Sequence, residues 1–166
     1  MLEINLWPKE ADEPEYSLSQ IDIKGQFVEY DWFLQTTRKI TSDDKILHDL
    51  EKNQANFCVH APILPNGKAL IGDVSKCITS SKKQFIELYW GEQMLGFTLN
   101  HANGDEVTIL IQSPNEPTKV ELNGKIFNKW TYEGKIITIN FAFEKTADAR
   151  LDLKFSCKNN PIIFLF

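Results

Sequence analysis

The residues in this sequence that are best suited to acid–base, nucleophilic or metal chemistry are three histidines and one Cys-x-His pair. His48, His60 and His101 stand outside any nucleophile motif, because the chain has no Gly-x-Ser-x-Gly stretch and no catalytic-cysteine signature. Cys58 and His60 are two residues apart, so they share one face of an extended strand and could begin a zinc site. The sequence has no second pair to complete the site. We therefore predict that Cys58 is a buried core thiol and that the chain binds no metal.

Adjacent carboxylates occur at Asp43-Asp44 and Asp105-Glu106. Neighbouring acids of this kind are typical of turns and helix caps. Glycoside hydrolysis would need two carboxyl groups about 5–10 Å apart across a cleft, which no local pattern indicates. The chain also lacks a glycine-rich phosphate loop. These observations predict a protein that is not an enzyme and uses no cofactor; a site assembled from distant residues stays the alternative.

The elements that would position these residues are mainly strands. Apolar and polar residues alternate at period two, as in Ile137, Ile139 and Phe141, which is typical of antiparallel strands buried on one side. Asn66-Gly67, Asn103-Gly104 and Asn123-Gly124 predict tight turns. The predicted strands lie near 2–6, 56–64, 68–74, 84–90, 93–100, 106–112, 119–123, 125–132, 135–144 and 150–157. This pattern predicts one domain over residues 1–166, an antiparallel β-sandwich or barrel built as a meander.

One short α-helix is predicted near residues 42–53. Thr41 and Asp44 have the spacing of a capping box, and Ile46, Leu47 and Leu50 form an apolar stripe at helical spacing. The helix would cover one face or mouth of the sheets.

Charge is distributed unevenly along the chain. Residues 1–51 hold 12 acidic against 5 basic residues, while residues 52–166 hold 11 acidic against 13 basic residues. The acidic first part disfavours nucleic acid as a partner and favours a basic protein. Cys58, Cys77 and Cys157 are an odd number of cysteines, which favours reduced thiols. Without a signal peptide or a run long enough to cross a bilayer, the sequence predicts a cytoplasmic protein that does not bind membranes.

Aromatic residues supply the candidate contact surfaces. Residues 27–34 would place Tyr30, Trp32 and Leu34 on one face as a strand, but they also make an apolar cluster as a helix, so periodicity alone does not decide. Trp130 and Tyr132 are likewise two residues apart on a presumed strand. Such rings fill cores, anchor protein interfaces or stack on sugars. Two binding sites are therefore predicted. The first comprises Glu29, Tyr30, Asp31, Trp32, Asp43 and Asp44, where the acids would attract a basic protein and the rings would anchor it. The alternative is a sugar-stacking site formed by Trp90, Trp130 and Tyr132.

Residues 119–141 contain the runs VELNGK and WTYEGKIITIN around the turn signals Asn123-Gly124 and Glu133-Gly134. This stretch resembles the hairpin region of accessory β-sandwich domains attached to glycoside hydrolases. The resemblance implies a carbohydrate-binding sandwich, and no catalytic residue carries over from it. In its acidic, β-rich and signal-free character the chain is also similar to bacterial immunity proteins, which block a toxin by covering its active site. We therefore expect a non-enzymatic protein that recognises another protein, an inhibitor or immunity protein, with carbohydrate binding as the alternative.

Overall fold

The computed structural model describes residues 2–6, 15–47, 56–75, 84–144 and 147–156. Within these ranges the chain forms strands and a single turn of 3-10 helix at Leu18–Ile21, and it contains no α-helix. No helix in the described ranges is long and apolar enough to cross a membrane. The strands are β1 (Leu2–Leu6), β2 (Glu15–Tyr16), β3 (Gln26–Asp31), β4 (Thr36–Thr41), β5 (Ile46–Leu47), β6 (Asn56–Pro62), β7 (Ala69–Asp73), β8 (Phe85–Gly91), β9 (Met94–His101), β10 (Glu106–Gln112), β11 (Lys119–Leu122), β12 (Lys125–Ile126), β13 (Trp130–Glu133), β14 (Ile136–Ala142) and β15 (Ala147–Lys154).

These strands build three antiparallel sheets and one small pair. The first sheet has the order β1-β6-β3-β4, the second β13-β14-β10-β7, and the third β12-β11-β15-β9-β8, while β2 pairs with β5. The prediction of a mainly β, antiparallel fold is confirmed. Across the described residues each sheet is open and keeps two edge strands, so the fold is layered and does not close into a barrel.

The main core lies between the second and third sheets. Ile109 and Ile111 on β10 are opposite Ile139 and Ile137 on β14, and all four side chains are fully buried. The facing residues of the third sheet belong to the same apolar cluster; they are Leu95, Phe97, Leu99, Leu151 and Leu153. Burying each such side chain contributes about 1.5–3 kcal/mol, so the alternation of the sequence is what drives the two sheets together.

The first sheet packs on the other face of the second. Val28 and Tyr30 on β3 join Ile71 of β7 and Leu110 of β10 in a second apolar cluster. The opposite face of β3 is also covered, because Phe27 packs with a smaller cluster that holds Leu18, Ile40 and Ile46. β3 is therefore a strand buried on both faces, between two other layers of the molecule.

The strand order is not the predicted simple meander. β15 lies between β9 and β11, and the consecutive strands β9 and β10 belong to different sheets. Asn123-Gly124, with φ of 52° and 74°, joins the paired strands β11 and β12 in a tight hairpin, as predicted. Asn66-Gly67 and Asn103-Gly104 also form turns, but each carries the chain from one sheet to another. An Asn-Gly turn reverses the chain without requiring that its flanking strands pair.

The predicted helix near 42–53 is wrong over its described part. The amide of Thr41 donates to Asp44 Oδ2 at 2.6 Å, which is one of the two hydrogen bonds of a capping box, yet these residues form a turn after β4. Ile46–Leu47 then pairs with Glu15–Tyr16, and the buried Ile46 fills the small cluster beneath β3. Tertiary packing has overridden a local helix signal. Residues 48–53, and the predictions for His48, Cys77 and Cys157, lie outside the described residues.

Candidate functional site

Two of the six residues predicted to form an acidic binding face are in the interior. Only 4% of Glu29 and 5% of Tyr30 is exposed. The reason is the central position of β3 in the first sheet and the packing on both of its faces. The prediction that Glu29 attracts a partner and Tyr30 anchors it at the outer surface is therefore wrong for these two side chains.

Glu29 instead links three neighbouring strands. Its Oε1 accepts a hydrogen bond from Arg38 Nε at 2.6 Å, and its Oε2 lies 2.9 Å from His60 Nε2. Arg38 on β4 and His60 on β6 are its direct cross-strand partners. Burial on its own would raise the pKa of Glu29, but the hydrogen bonds from His60 and Arg38 outweigh it and hold the pKa below the ordinary 4.5. The charge of Glu29 therefore stabilises the first sheet.

Asp31 and Trp32 hold the hairpin that joins β3 to β4. Asp31 Oδ1 accepts hydrogen bonds from the backbone amides of Phe33 and Leu34, both at 2.9 Å. The indole nitrogen of Trp32 donates to the carbonyl of Val74 at 3.2 Å, which ties the hairpin to the end of β7. These contacts fix the conformation of the turn, which limits the ordering entropy that binding would otherwise require.

Phe33 and Leu34 form an exposed apolar pair, here called the hairpin tip. Their exposed fractions are 57% and 72%, and the ring of Phe33 stands edge-on to Trp32 with 5.4 Å between the centroids. Sequence reasoning missed Phe33 and assigned Leu34 to the same strand face as Trp32. The available signal was four apolar residues, Tyr30 and Trp32–Leu34, around a single aspartate that could cap a turn.

Asp43 and Asp44 lie away from the hairpin tip. Both are exposed and belong to the turn that follows β4, whereas the tip precedes β4. β4 has six residues and thus spans roughly 20 Å, at about 3.3 Å per residue. The structure does not bring the six predicted residues together as one face; Asp31 and Trp32 are the members that support the tip.

An open groove of about 620 Å³ lies beside the tip, between the first sheet and the outer face of the second. The β3–β4 hairpin provides one wall, and β10, β13 and β14 provide the other. The first wall consists of Tyr30, Trp32, Gln35 and Thr37, and the second of Val74, Thr108, Leu110, Glu133, Ile136 and Thr138. Two members of the predicted binding face, Tyr30 and Trp32, therefore meet at this groove.

The three aromatic residues of the alternative sugar site are on two different sheets. Trp130 and Tyr132 belong to β13 of the second sheet and pack against the main core, where the Tyr132 hydroxyl donates to the carbonyl of Ser113 at 3.3 Å. Trp90 is 46% exposed on β8, the edge strand of the third sheet. The rings therefore do not share one stacking surface, because the period-two pattern that aligned Trp130 with Tyr132 directs both of them inward.

Cys58 and His101, two described residues with nucleophilic or acid–base potential, are buried. Burial, followed by the charges of Glu29 and Asp31, raises the pKa of the Cys58 thiol to about 12, so it stays protonated at neutral pH. His101 Nε2 lies 3.6 Å from Asp73 Oδ2 in the interior, and its ring stacks on Phe143. Asp73 is on β7 and His101 on β9, so this contact joins the second and third sheets at one end of the core.

Comparison of the chain with protein-family models and with curated protein sequences finds no match.

Proposed function

We propose that this protein is a non-enzymatic recognition protein that binds another protein through the hairpin tip. The observation that carries the proposal is the exposure of Phe33 and Leu34, at 57% and 72%, on adjacent residues of a turn that is held in place. Exposed aromatic and aliphatic side chains on a rigid support are typical anchors of protein interfaces.

The hairpin tip is supported by contacts from the two residues that precede it. Asp31 caps the amides of both tip residues, and the Trp32 indole both contacts Phe33 and bonds to the Val74 carbonyl. A turn that already has its bound conformation loses little entropy on association. Ile126 has a similar exposure of 68%, but it stands alone on the two-residue strand β12 and gives a natural control position.

Electrostatics favour a basic partner. The first 51 residues, which include the tip, hold 12 acidic against 5 basic residues. An excess of negative charge increases the rate of encounter with a positively charged surface and loses its effect as salt rises. An inhibitor of the immunity type, which covers the active site of a basic partner, would use such a surface.

The proposal is tested by site-specific photo-crosslinking in native lysate, with the crosslinking amino acid at position 34 or, as a control, at position 126. We expect one discrete adduct from position 34 that position 126 does not give. An excess of unlabelled wild-type protein should abolish this adduct, and an equal excess of the Phe33→Ala, Leu34→Ala double variant should leave it intact. An identical adduct pattern from both positions, or equal competition by the double variant, would overturn the proposal.

A further inference from the structure

The groove beside the hairpin tip is lined by aromatic rings and hydroxyl groups. Trp32 and Tyr30 belong to the hairpin wall, and three threonines, Thr37, Thr108 and Thr138, contribute from both walls. Its volume of about 620 Å³ is within the range of roughly 300–1,000 Å³ that ligand pockets occupy.

The hydrogen-bonding groups of the groove suit a ligand that both donates and accepts. Thr108 Oγ1 donates its proton to Asn140 Oδ1 at 2.9 Å, so it can act towards a ligand as a hydrogen-bond acceptor. Burial and the neighbouring charge of Asp31 raise the pKa of Tyr30, so its hydroxyl keeps its proton at neutral pH. Glu133 on β13 adds a carboxylate, which can accept two hydrogen bonds from neighbouring hydroxyl groups.

The charges of the lining exclude several classes of ligand. Glu133 is the single charged residue among the ten described lining residues, and none of the ten is basic. Phosphates, nucleotides and acidic sugars would meet a carboxylate without a compensating cation. A purely apolar ligand would displace water from the hydroxyls of Thr37 and Thr138 and from the carboxylate of Glu133 without offering them a hydrogen bond. The lining therefore favours a neutral ligand with many hydroxyl groups and with C–H faces that can pack on an indole.

We infer that the groove binds a neutral carbohydrate, whose hydroxyl groups pair with Thr138, Thr108 and Glu133 while a sugar ring packs against Trp32. This inference goes beyond protein recognition by the tip, because neither tip residue lines the groove and the hydrogen-bonding partners Thr108, Glu133 and Thr138 belong to the second sheet. It also differs from a stacking site at Trp90, Trp130 and Tyr132, whose rings are distributed over two sheets.

The structure offers a matched pair of residues for the test. Thr138 and Thr131 are direct cross-strand partners on β14 and β13, yet only Thr138 lines the groove. Thr138→Val and Thr131→Val therefore make the same chemical change on neighbouring strands, one inside the site and one outside it. Glu133→Gln is a second variant within the groove, and its side chain is exposed, so it should not impair folding.

The experiment measures binding of neutral tetrasaccharides of glucose, xylose, mannose and N-acetylglucosamine by saturation-transfer NMR on the full chain. In parallel, the indole N–H resonances of Trp32 and Trp90 are followed during titration. We expect at least one sugar to receive saturation and to shift the Trp32 resonance while leaving that of Trp90 in place. Removing one hydrogen-bonding group should weaken binding about three- to tenfold for Thr138→Val and Glu133→Gln, and Thr131→Val should bind as the wild type does.

Three results would overturn the inference. The first is no saturation of any of these sugars by the wild-type protein. The second is equal binding by Thr138→Val and Thr131→Val, or a shift of Trp90 in place of Trp32, because either would locate sugar binding elsewhere. The third is a loss of the photo-crosslinked protein adduct in Thr138→Val without any sugar binding, which would assign the groove to the protein partner.

Discussion

The ring of Tyr89 on β8 lies directly over Gly96 on β9, its cross-strand partner on the outer face of the third sheet. A β-carbon at Gly96 would overlap the ring and the hydroxyl of Tyr89. The Tyr89 hydroxyl donates to Asp152 on β15, and the guanidinium of Arg150 lies 4.9 Å from the centre of the ring. The glycine is thus the residue that allows one aromatic ring to tie three strands together.

Gly96→Ala should destabilise the fold by about 1–3 kcal/mol, because the added methyl group must displace the Tyr89 ring and its hydrogen bond to Asp152. Urea denaturation followed by circular dichroism measures the change. Gly91→Ala is the control, since a β-carbon there meets only Met94 Cγ at an ordinary 3.4 Å. In a Tyr89→Ala background the effect of Gly96→Ala should largely disappear. An undiminished loss in that background would contradict the proposed overlap.

Glu29→Gln should destabilise the protein by roughly 1.5–3 kcal/mol at pH 7, because it removes charge-assisted hydrogen bonds from a buried group. The folded pKa of Glu29 lies below 4.5, so its contribution is complete above pH 4.5 and is lost as the pH falls through the folded value. Wild-type stability should therefore decline more steeply below pH 4.5 than that of the variant.

Urea midpoints at a series of pH values between 7 and 3 test this prediction. Glu87→Gln, at an exposed position on β8, is the control and should change stability by less than about 0.5 kcal/mol. Parallel stability curves for wild type and Glu29→Gln across this range would show that the carboxylate charge does not stabilise the first sheet.

Cys58 should be inert to thiol reagents in the native protein. A variant with Cys77→Ser and Cys157→Ser isolates this thiol, and a disulfide reagent at pH 8 should label it only after denaturation, because its pKa is about 12 and its side chain is buried. The raised pKa makes a stabilising contribution that is complete below pH 9.0 and is lost as the pH rises towards 12. Rapid labelling of the native variant would contradict the burial of Cys58 on β6 of the first sheet.

Local pattern predicted β1 and most strands from β6 onward, but it left residues 27–34 open between strand and helix and did not predict β4. It also did not predict how the strands divide among the sheets. Residues 125–132 read as one strand, whereas β12 pairs with β11 in the third sheet and β13 pairs with β14 in the second. The two ladders are separated by Phe127–Lys129, where the chain crosses from one sheet to the other. Period-two alternation reports which side of a strand is apolar, and it carries no information on which sheet will cover that side.

The candidate site was less accessible to sequence reasoning for the same reason. Tyr30 and Trp32 both line the groove, but the burial of Tyr30 depends on the second sheet, which is built from residues far along the chain. The groove lies between the hairpin at residues 30–37 and strands at residues 108–138, so no local motif could indicate it. Phe33 and Leu34 could be recognised as a surface only once the turn after Asp31 had been located.

Substitutions in the hairpin tip should affect partner binding but not stability, whereas a substitution of the supporting Trp32 should lower stability. Phe33→Ala with Leu34→Ala should change the free energy of unfolding by less than about 0.5 kcal/mol, since both side chains are mainly exposed. Trp32→Ala should cost roughly 1–3 kcal/mol, because its indole bonds to Val74 and packs on the cluster between the first and second sheets. Thermal denaturation measures both. Although its fold is intact, an unlabelled excess of the double variant should fail to compete with the position-34 adduct. Unfolding of the tip variant would contradict a role of Phe33 and Leu34 in recognition alone.

Because the acidic first part of the chain would attract a basic partner, crosslinking from position 34 should also fall between low salt and about 1 M salt, where the Debye length is about 3 Å. Crosslinking that salt leaves unchanged would show that the acidic charge does not attract the partner.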